Sequence, residues 1–270
     1  MLTLIPTPIG NIQDITFRAI TSLKEADLIL CEDTRVTKHL INLLNERFNA
    51  NIEINEILSF HEHNGKERLS QISHRLYQDR VVYLSDAGMP AISDPGQILV
   101  KYCQDNSIDY EVLPGASVPP LIYAASGFES GKFTFYGFLP HKGKDREQEL
   151  NRVLSNEYDT IVYEAPHRLE RLIEQICQID ENREIFVAKE ISKKYQKYFR
   201  MSAKEFLDKL KEISIKGEWA IVIKGSKSKD SIDLNAIKSL DIPPKIKAKV
   251  LATFSNKSIK EWYSELIKGK

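Results

Sequence analysis

The sequence predicts an α/β fold built on a parallel sheet. Short apolar strands alternate with helical stretches through the first half of the 270-residue chain, as in βαβ units. Loops rich in glycine and proline follow several of these strands, which is typical of turns at strand ends. Hydrophobic residues make up 42% of the chain, enough for a sizeable core.

Five apolar runs in the first half predict strands, and the polar-apolar periodicity between them predicts helices. The predicted strands cover residues 2–6, 26–31, 57–60, 81–84 and 110–113. The predicted helices cover residues 16–24, 34–44, 66–77 and 97–105, with Thr16 a suitable N-cap of the first.

A stretch rich in glycine and serine, residues 126–132 (SGFESGK), predicts a boundary. Beyond it we expect a helix that ends near residue 154 and another that begins at His167. The predicted strands there are 133–138, 160–163, 184–188, 195–199 and 219–223, and the last two suit antiparallel pairing. Residues 225–233 are typical of a linker, and residues 246–267 have helical periodicity.

Composition excludes some classes of protein. No apolar run is long enough to span a bilayer, and the N-terminus lacks the pattern of a signal peptide. Three widely separated cysteines form no metal-ligand spacing, so we expect small buried thiols in a reducing cytoplasm.

Charge is unevenly distributed although the formal net charge is zero. Residues 1–188 hold 18 Lys and Arg against 28 Asp and Glu, whereas residues 189–270 hold 20 against 10. The basic segment includes Lys193, Lys194, Lys197, Arg200, Lys245, Lys247 and Lys249. This pattern favours contact with a polyanion such as nucleic acid, and a solvated lysine-rich surface is the alternative.

Three loops of similar composition follow strands, at residues 6–11, 85–90 and 113–117. Ligands of parallel sheets bind beyond the carboxyl ends of the strands, so these loops predict a ligand site. Neither GxGxxG nor GxxxxGK[ST] is present, which indicates a ligand without a polyphosphate. Asp86 would accept hydrogen bonds from hydroxyl or ammonium groups, or else cap a turn.

Five motifs, in order, resemble one family: LIPTPIGNIQDITFRAITSLKEADLILCEDTR, SFHEHN, SDAGMPAISDPG, LPGAS and YEAPHRL. The series resembles the bacterial 16S rRNA cytidine 2'-O-methyltransferases, of the tetrapyrrole methylase superfamily. Two loops depart from the family pattern. Met89-Pro90-Ala91 stands where Thr-Pro-Gly is usual, and Pro114-Gly115-Ala116-Ser117-Val118 where Pro-Gly-Pro-Ser-Ala is usual.

The resemblance implies two α/β domains, residues 1–120 and 121–225, with S-adenosyl-L-methionine in the cleft between them. Beyond the reach of the resemblance, the helical periodicity and the excess of Lys and Arg predict a small basic helical tail at 230–270. It implies a homodimer that methylates a cytidine ribose in the decoding region of 16S rRNA, within the small ribosomal subunit. The implied cofactor-binding residues are Pro8, Ser85, Asp86, Ala87, Gly88, Ser93, Asp94, Ser117, Tyr163 and Glu164.

A ribose hydroxyl is a weak nucleophile, so a nearby base or cation would assist its methylation. Candidates follow predicted strands: Glu32, Asp33 and Arg35 in CEDTR, His61, His63 and Asn64 in SFHEHN, and Lys189 with Glu190. We expect Asp33, Arg35, Lys189 and Glu190 to be catalytic. The alternatives are an ion pair at a helix start, with Asp33 or Thr34 as N-cap, and a surface pair.

We expect substrate contacts from His61, Asn64, Arg168, Lys193 and Lys194. His61 and His63 lack a third ligand at metal spacing, so no metal is expected. Arg168 would hold an RNA phosphate, unless it is an ordinary surface residue. Tyr195, Tyr198 and Phe199 among basic residues would stack on single-stranded RNA, unless they form a strand with one buried aromatic face.

Two other functions stay open at this point. One is a methyltransferase for a tetrapyrrole-like small molecule, which the basic C-terminal segment disfavours. The other is a catalytically idle RNA-binding factor, for which the departures at Met89, Ala91 and Ala116 give some support.

Overall fold

A computed structural model describes residues 1–226, 234–255 and 257–268. The contacts within the chain divide it into two compact units, Met1–Gly225 and Ser226–Lys270. The first unit contains two five-stranded sheets and the second is helical.

The first sheet is entirely parallel, in the order β3-β2-β4-β1-β5. Its strands are β1 (Leu2–Ile5), β2 (Leu28–Cys31), β3 (Ile57–Ser59), β4 (Val81–Leu84) and β5 (Tyr110–Val112). Every residue of β1, β2 and β4 is buried, because helices cover both faces of the sheet.

Each face of the first sheet packs against its own helices. Helices α1 (Phe17–Lys24) and α2 (Thr34–Phe48) share one apolar core with the sheet. Helices α3 (Gly65–Ile72), α4 (Arg75–Gln78) and α5 (Gly96–Asp105) share the core on the opposite face. The three layers direct the carboxyl ends of all five strands to one edge of the sheet.

The second sheet is mixed, in the order β6-β7-β10-β8-β9. Its strands are β6 (Phe133–Phe138), β7 (Asp159–Glu164), β8 (Glu184–Lys189), β9 (Lys197–Ser202) and β10 (Trp219–Ile223). Strand β6 pairs parallel with β7, and the other three pairings are antiparallel.

Helices α7 (Gly143–Leu154), α8 (Pro166–Asp180) and α9 (Ala203–Leu210) cover one face of the second sheet. The other face packs against α6 (Val118–Ser126) and against Ile9 from the loop after β1. This core joins the two sheets, so the loops of the first sheet lie directly against the second.

Most predicted elements are confirmed to within a few residues, and Thr16 caps α1 as expected. One prediction was wrong, one strand is displaced by a few residues, and two helices were missed. The single helix predicted over 66–77 is two helices, with a break at residues 73–74. The strand predicted over 195–199 lies at Lys197–Ser202, and helices α6 and α9 were not predicted at all.

The C-terminal unit contains α10 (Leu234–Ser239), α11 (Pro244–Thr253) and α12 (Ile259–Lys268), in agreement with the predicted helical tail. Its core comprises Ile237, Ala248, Leu251 and Trp262. Lys238 and Lys257 lie over the Trp262 ring and both pair with Glu265. Most of the linker predicted over 225–233 lies outside the described residues.

None of the helices in the described part of the chain has the length and apolar character needed to cross a bilayer.

Candidate active-site cleft

The loops after β1, β4 and β5 meet, as their shared composition predicted. Thr7 and Gly88 exchange two backbone hydrogen bonds of 3.0 Å, and the Thr7 hydroxyl donates to the Ser85 carbonyl at 3.2 Å. A Cβ atom on Gly115 would lie 2.7 Å from Cβ of Pro6. Glycine is therefore required where the third loop presses on the first.

The β4 loop is built around the carboxylate of Asp94. Its Oδ1 accepts hydrogen bonds from the Tyr83 hydroxyl at 2.8 Å, the Gly96 N–H at 2.9 Å and the Ala91 N–H at 3.0 Å. Ala91 has a φ of +65°, a backbone conformation that favours glycine. The departure from the family pattern at this position therefore introduces local backbone strain.

The ends of β2 and β4 are joined by a reciprocal pair of hydrogen bonds. The Asp33 N–H donates to Oδ1 of Asp86 at 3.1 Å, and the Asp86 N–H donates to Oε1 of Glu32 at 2.8 Å. Burial raises the pKa of both Glu32 and Asp86. The backbone and side chain of Asp86 link the ends of β2 and β4, and Asp86 does not line either pocket of the cleft.

Asp33 and Arg35 form the local ion pair that was the alternative to a catalytic role. Asp33 is the N-cap of α2, where it accepts the Arg35 N–H at 2.8 Å and binds the Arg35 guanidinium at 2.6 Å. These hydrogen bonds lower the pKa of Asp33 to about 2. The Arg35 side chain is 89% exposed and so remains available to solvent-borne partners.

Two adjoining pockets lie between the sheets. The smaller has a mixed polar and apolar lining, formed by Glu32, Ser85, Ala87, Gly88, Met89, Ile92, Ser93, Asp94, Ser117, Val118, Pro119 and Tyr163. Ser117 is the N-cap residue of α6 but its side chain makes no capping hydrogen bond. Its hydroxyl is therefore free to bind a ligand.

The larger pocket is mostly apolar. It is lined by Ile9, Ala87, Val118, Phe138, Tyr163, Glu164, Ala165, Pro166, Ala188, Ile191, Glu218, Trp219 and Ala220. Ala87, Val118 and Tyr163 line both pockets, so the two form one cleft. The Tyr163 ring packs edge-on against Phe135 and Phe138, and burial raises the pKa of its hydroxyl.

A buried ionic cluster supports the floor of the larger pocket. Glu164 binds Arg146 at 3.0 Å and Arg168 at 2.6 Å, and the side chains of Glu164 and Arg146 are at most 1% exposed. The other donors of Arg146 bind Gln175 and the Pro140 carbonyl. Nε and Nη1 of Arg168 are buried without a partner from the described residues, so Arg168 is not the ordinary surface residue of the alternative interpretation.

Lys189, Glu190 and Lys193 make structural contacts at the end of β8 and in the loop that follows it. Glu190 accepts the Glu218 N–H at 2.8 Å and faces Lys193 at 3.4 Å, and the hydrogen bond from Glu218 lowers its pKa. The Lys189 ammonium donates to the Ser214 carbonyl and lies 5.2 Å from the Trp219 ring centroid. None of the three lines either pocket.

His61 and Asn64 lie after β3, apart from the two pockets. Asn64 accepts the His61 N–H at 2.8 Å and donates to Ser59, so it stabilises its own loop. Nδ1 of His61 is buried without a hydrogen-bond partner. Within the described ranges, no three His, Cys, Asp or Glu side chains are grouped so that they could hold a metal.

The basic aromatic segment forms an exposed edge of the second sheet. Tyr195 is 69% exposed and stands beside Lys194, and Tyr198 is 41% exposed. Phe199 packs instead against the core around Phe206. One face of β9 is therefore partly buried, through Phe199 and Met201, while two tyrosines and the neighbouring lysines face solvent.

The cleft brings together eight of the ten predicted cofactor-binding residues: Ser85, Ala87, Gly88, Ser93, Asp94, Ser117, Tyr163 and Glu164. Pro8 and Asp86 are absent from its lining, and Ile9 takes the place expected of Pro8. Sequence reasoning missed the buried Arg146, and it missed Phe138 and Trp219 as lining residues. Phe138 ends one predicted strand and Trp219 begins another, and neither residue belongs to a local sequence motif.

Comparison with known proteins gives one consistent result. The family model of tetrapyrrole (corrin/porphyrin) methylases matches residues 1–207. A relative from Campylobacter fetus named ribosomal RNA small subunit methyltransferase I is 44% identical, over 99% of this chain and 100% of its own. A relative of that name from Helicobacter pylori is 38% identical, over 97% of this chain and 96% of its own.

Solved structures show the same fold at low sequence identity. Diphthine synthase superposes with a TM-score of 0.63 at 13% identity, over 94% of this chain and 96% of its own. Uroporphyrin-III C-methyltransferase from Thermus thermophilus, in complex with S-adenosylhomocysteine, superposes with a TM-score of 0.54 at 14% identity, over 82% of this chain and 96% of its own.

Proposed function

The chain belongs to the tetrapyrrole methylase family, and on that premise we propose that it is an S-adenosylmethionine-dependent rRNA 2'-O-methyltransferase. Its substrate is a cytidine ribose in 16S rRNA of the small ribosomal subunit, and it works in the cytoplasm as a homodimer. The observation that carries the proposal is the two-part cleft, together with relatives named for the small-subunit RNA.

The cleft suits a ligand with one apolar end and one end that carries polar groups among apolar contacts. The apolar pocket between Phe138, Tyr163 and Trp219 fits an adenine ring, and the serine hydroxyls of the smaller pocket fit the polar groups of an amino acid. Bound there, S-adenosylmethionine supplies a methyl group already activated by a sulfonium. The protein then mainly has to align the acceptor hydroxyl with that group.

RNA binding rests on the basic residues and exposed rings outside the cleft. Lys194, Tyr195 and Tyr198 offer charge and stacking on one exposed edge, and Arg35 projects into solvent beside the cleft. Nε and Nη1 of Arg168 have no partner among the described residues, and such donors suit the oxygens of a phosphate. The contacts of Asp33, Lys189, Glu190 and Asn64 favour structural roles for those residues.

The test is methyl transfer from labelled S-adenosylmethionine to small ribosomal subunits from a strain that lacks this protein. We expect label at one cytidine 2'-oxygen of 16S rRNA, mapped by its resistance to alkaline cleavage. Label on a porphyrin precursor and none on RNA would favour the small-molecule enzyme. Calorimetry that detects no binding of S-adenosylmethionine would favour the idle RNA-binding factor.

A further inference from the structure

We infer that Glu32 accepts the proton of the ribose hydroxyl during methyl transfer, an assignment that rests on the proposed function. A neutral hydroxyl is a poor nucleophile, and a positioned base typically contributes 10²–10⁴-fold to such a reaction. Glu32 and Asp33 are adjacent in the chain but have different contacts. Glu32 lines the smaller pocket, whereas Asp33 caps α2.

The position of Glu32 suits a base. It follows β2 directly and lines the smaller pocket, which Tyr163 lines from the second sheet. The Asp86 N–H fixes its Oε1 at 2.8 Å. Within the residues that the structure describes, Oε2 has no hydrogen-bond donor, so one oxygen is oriented by the protein and the other is free.

The charges around Glu32 favour uptake of a proton. Burial is the main cause of its raised pKa, and the carboxylates of Asp94 and Asp86 raise the pKa further. The charge of Asp33 is neutralised by Arg35. Tyr163 is the titratable group that lines the smaller pocket from the second sheet. The smaller pocket has no lysine or arginine in its lining, so no described cation there neutralises Glu32.

The other carboxylates of the cleft are already engaged. Oδ1 of Asp94 accepts three donors of its own loop. Both oxygens of Glu164 bind arginines. Glu218 pairs with Lys193 and its side chain is 74% exposed. Among the carboxylates that line the two pockets, Glu32 is held by a single hydrogen bond and keeps one oxygen without a donor from the described residues.

The hydroxyl oxygen forms its bond to the methyl carbon while the O–H bond breaks, and the proton goes to Oε2 of Glu32. The electron pair of the broken carbon–sulfur bond stays with sulfur, which becomes a neutral thioether. Glu32 then returns the proton to water, and no oxidant or reductant is needed.

The test compares Glu32→Gln with two neighbouring variants in the full chain. Glutamine keeps the acceptor for the Asp86 N–H but is not a base, so we expect single-turnover methylation of small subunits to fall about 100-fold or more. The remaining rate should lose the acidic limb of its pH profile. The exposed Glu53→Gln should match the wild type, and Asp33→Asn, which can still cap α2, should lose less than about threefold.

A second readout does not depend on turnover. Calorimetry should give Glu32→Gln an affinity for S-adenosylhomocysteine within threefold of the wild type. A tenfold loss of that affinity, with a normal rate at saturating cofactor, would make Glu32 a cofactor contact and overturn the assignment.

The two proposals fail in different ways. An active wild type beside an equally active Glu32→Gln would overturn only the role of Glu32. A wild type that labels no small-subunit RNA would overturn the proposed function, and the assignment of Glu32 with it.

Discussion

The two walls of the cleft are built by different physical means. The wall from the first sheet consists of loops that hold one another through backbone hydrogen bonds and close glycine contacts, as at Thr7, Gly88 and Gly115. The wall from the second sheet rests on buried charge, with Glu164 between Arg146 and Arg168. The first wall should therefore respond to changes of shape, and the second to the loss of a charge.

The largest effect is expected from Glu164→Gln in the charged wall. The change leaves two buried guanidinium groups without their anion, which typically costs about 3–5 kcal/mol of unfolding free energy. Urea unfolding followed by circular dichroism measures the loss. The control is Glu170→Gln, an exposed position on α8. A loss below about 1 kcal/mol would remove the distinction between the walls.

A smaller effect is expected from Gly115→Ala in the backbone-built wall. The new Cβ would lie 2.7 Å from the rigid ring of Pro6, and overpacking of this kind costs roughly 1–3 kcal/mol. Chemical denaturation should show this loss, with weaker binding of S-adenosylhomocysteine. Gly65→Ala is the matched control, because its nearest neighbours stand at 3.4 Å. Equal stability of the two variants would contradict the prediction.

A stabilising change is expected at Ala91, in the same wall. Glycine removes the strain of φ +65°, and the gain is partly offset by the greater freedom of glycine in the unfolded chain. We expect a net gain of roughly 0.5 kcal/mol in unfolding free energy. Ala124→Gly in α6 should instead lose about 0.5–1 kcal/mol. A loss at Ala91 would show that the loop is not strained.

The smallest expected effect is a change in how Tm depends on pH. Burial raises the pKa of Asp86, so its ionised form destabilises the folded protein at pH 7. Asp86→Asn should therefore raise Tm at pH 7, and the difference should vanish as the pH falls below the ordinary value of 3.8. Asp33→Asn should lower Tm at pH 7, because the pKa of Asp33 is lowered, and its deficit should disappear towards pH 2. Parallel pH profiles of Tm for both variants would contradict these signs.

Sequence patterns predicted the first wall better than the second. The loops of the first wall combine glycine, proline and small polar residues directly after apolar strands, and that local pattern is sufficient to place them at one edge of a parallel sheet. The Glu164 cluster joins β7 to α7 and α8, so it depends on packing between distant segments. Arg146 lies in a polar stretch (HKGKDR) with no local sign of burial.

Particular residues also show what local sequence patterns can and cannot predict. The serine at 202 and the glutamate at 205 form a capping box at the start of α9, a local signal that would have located this helix. By contrast, Glu32 and Asp33 are adjacent acids after the same strand. Only the contacts of Asp86 and Arg35 show which of them faces the cleft.

The central position of β10 has a consequence for biosynthesis. This strand is the last of the second sheet to be made, yet it pairs with β7 on one side and β8 on the other. The first sheet can therefore fold early during synthesis. The second sheet stays incomplete between β7 and β8 until β10 has been made. Until β10 is made, the facing edges of β7 and β8 lack the strand that pairs with both of them.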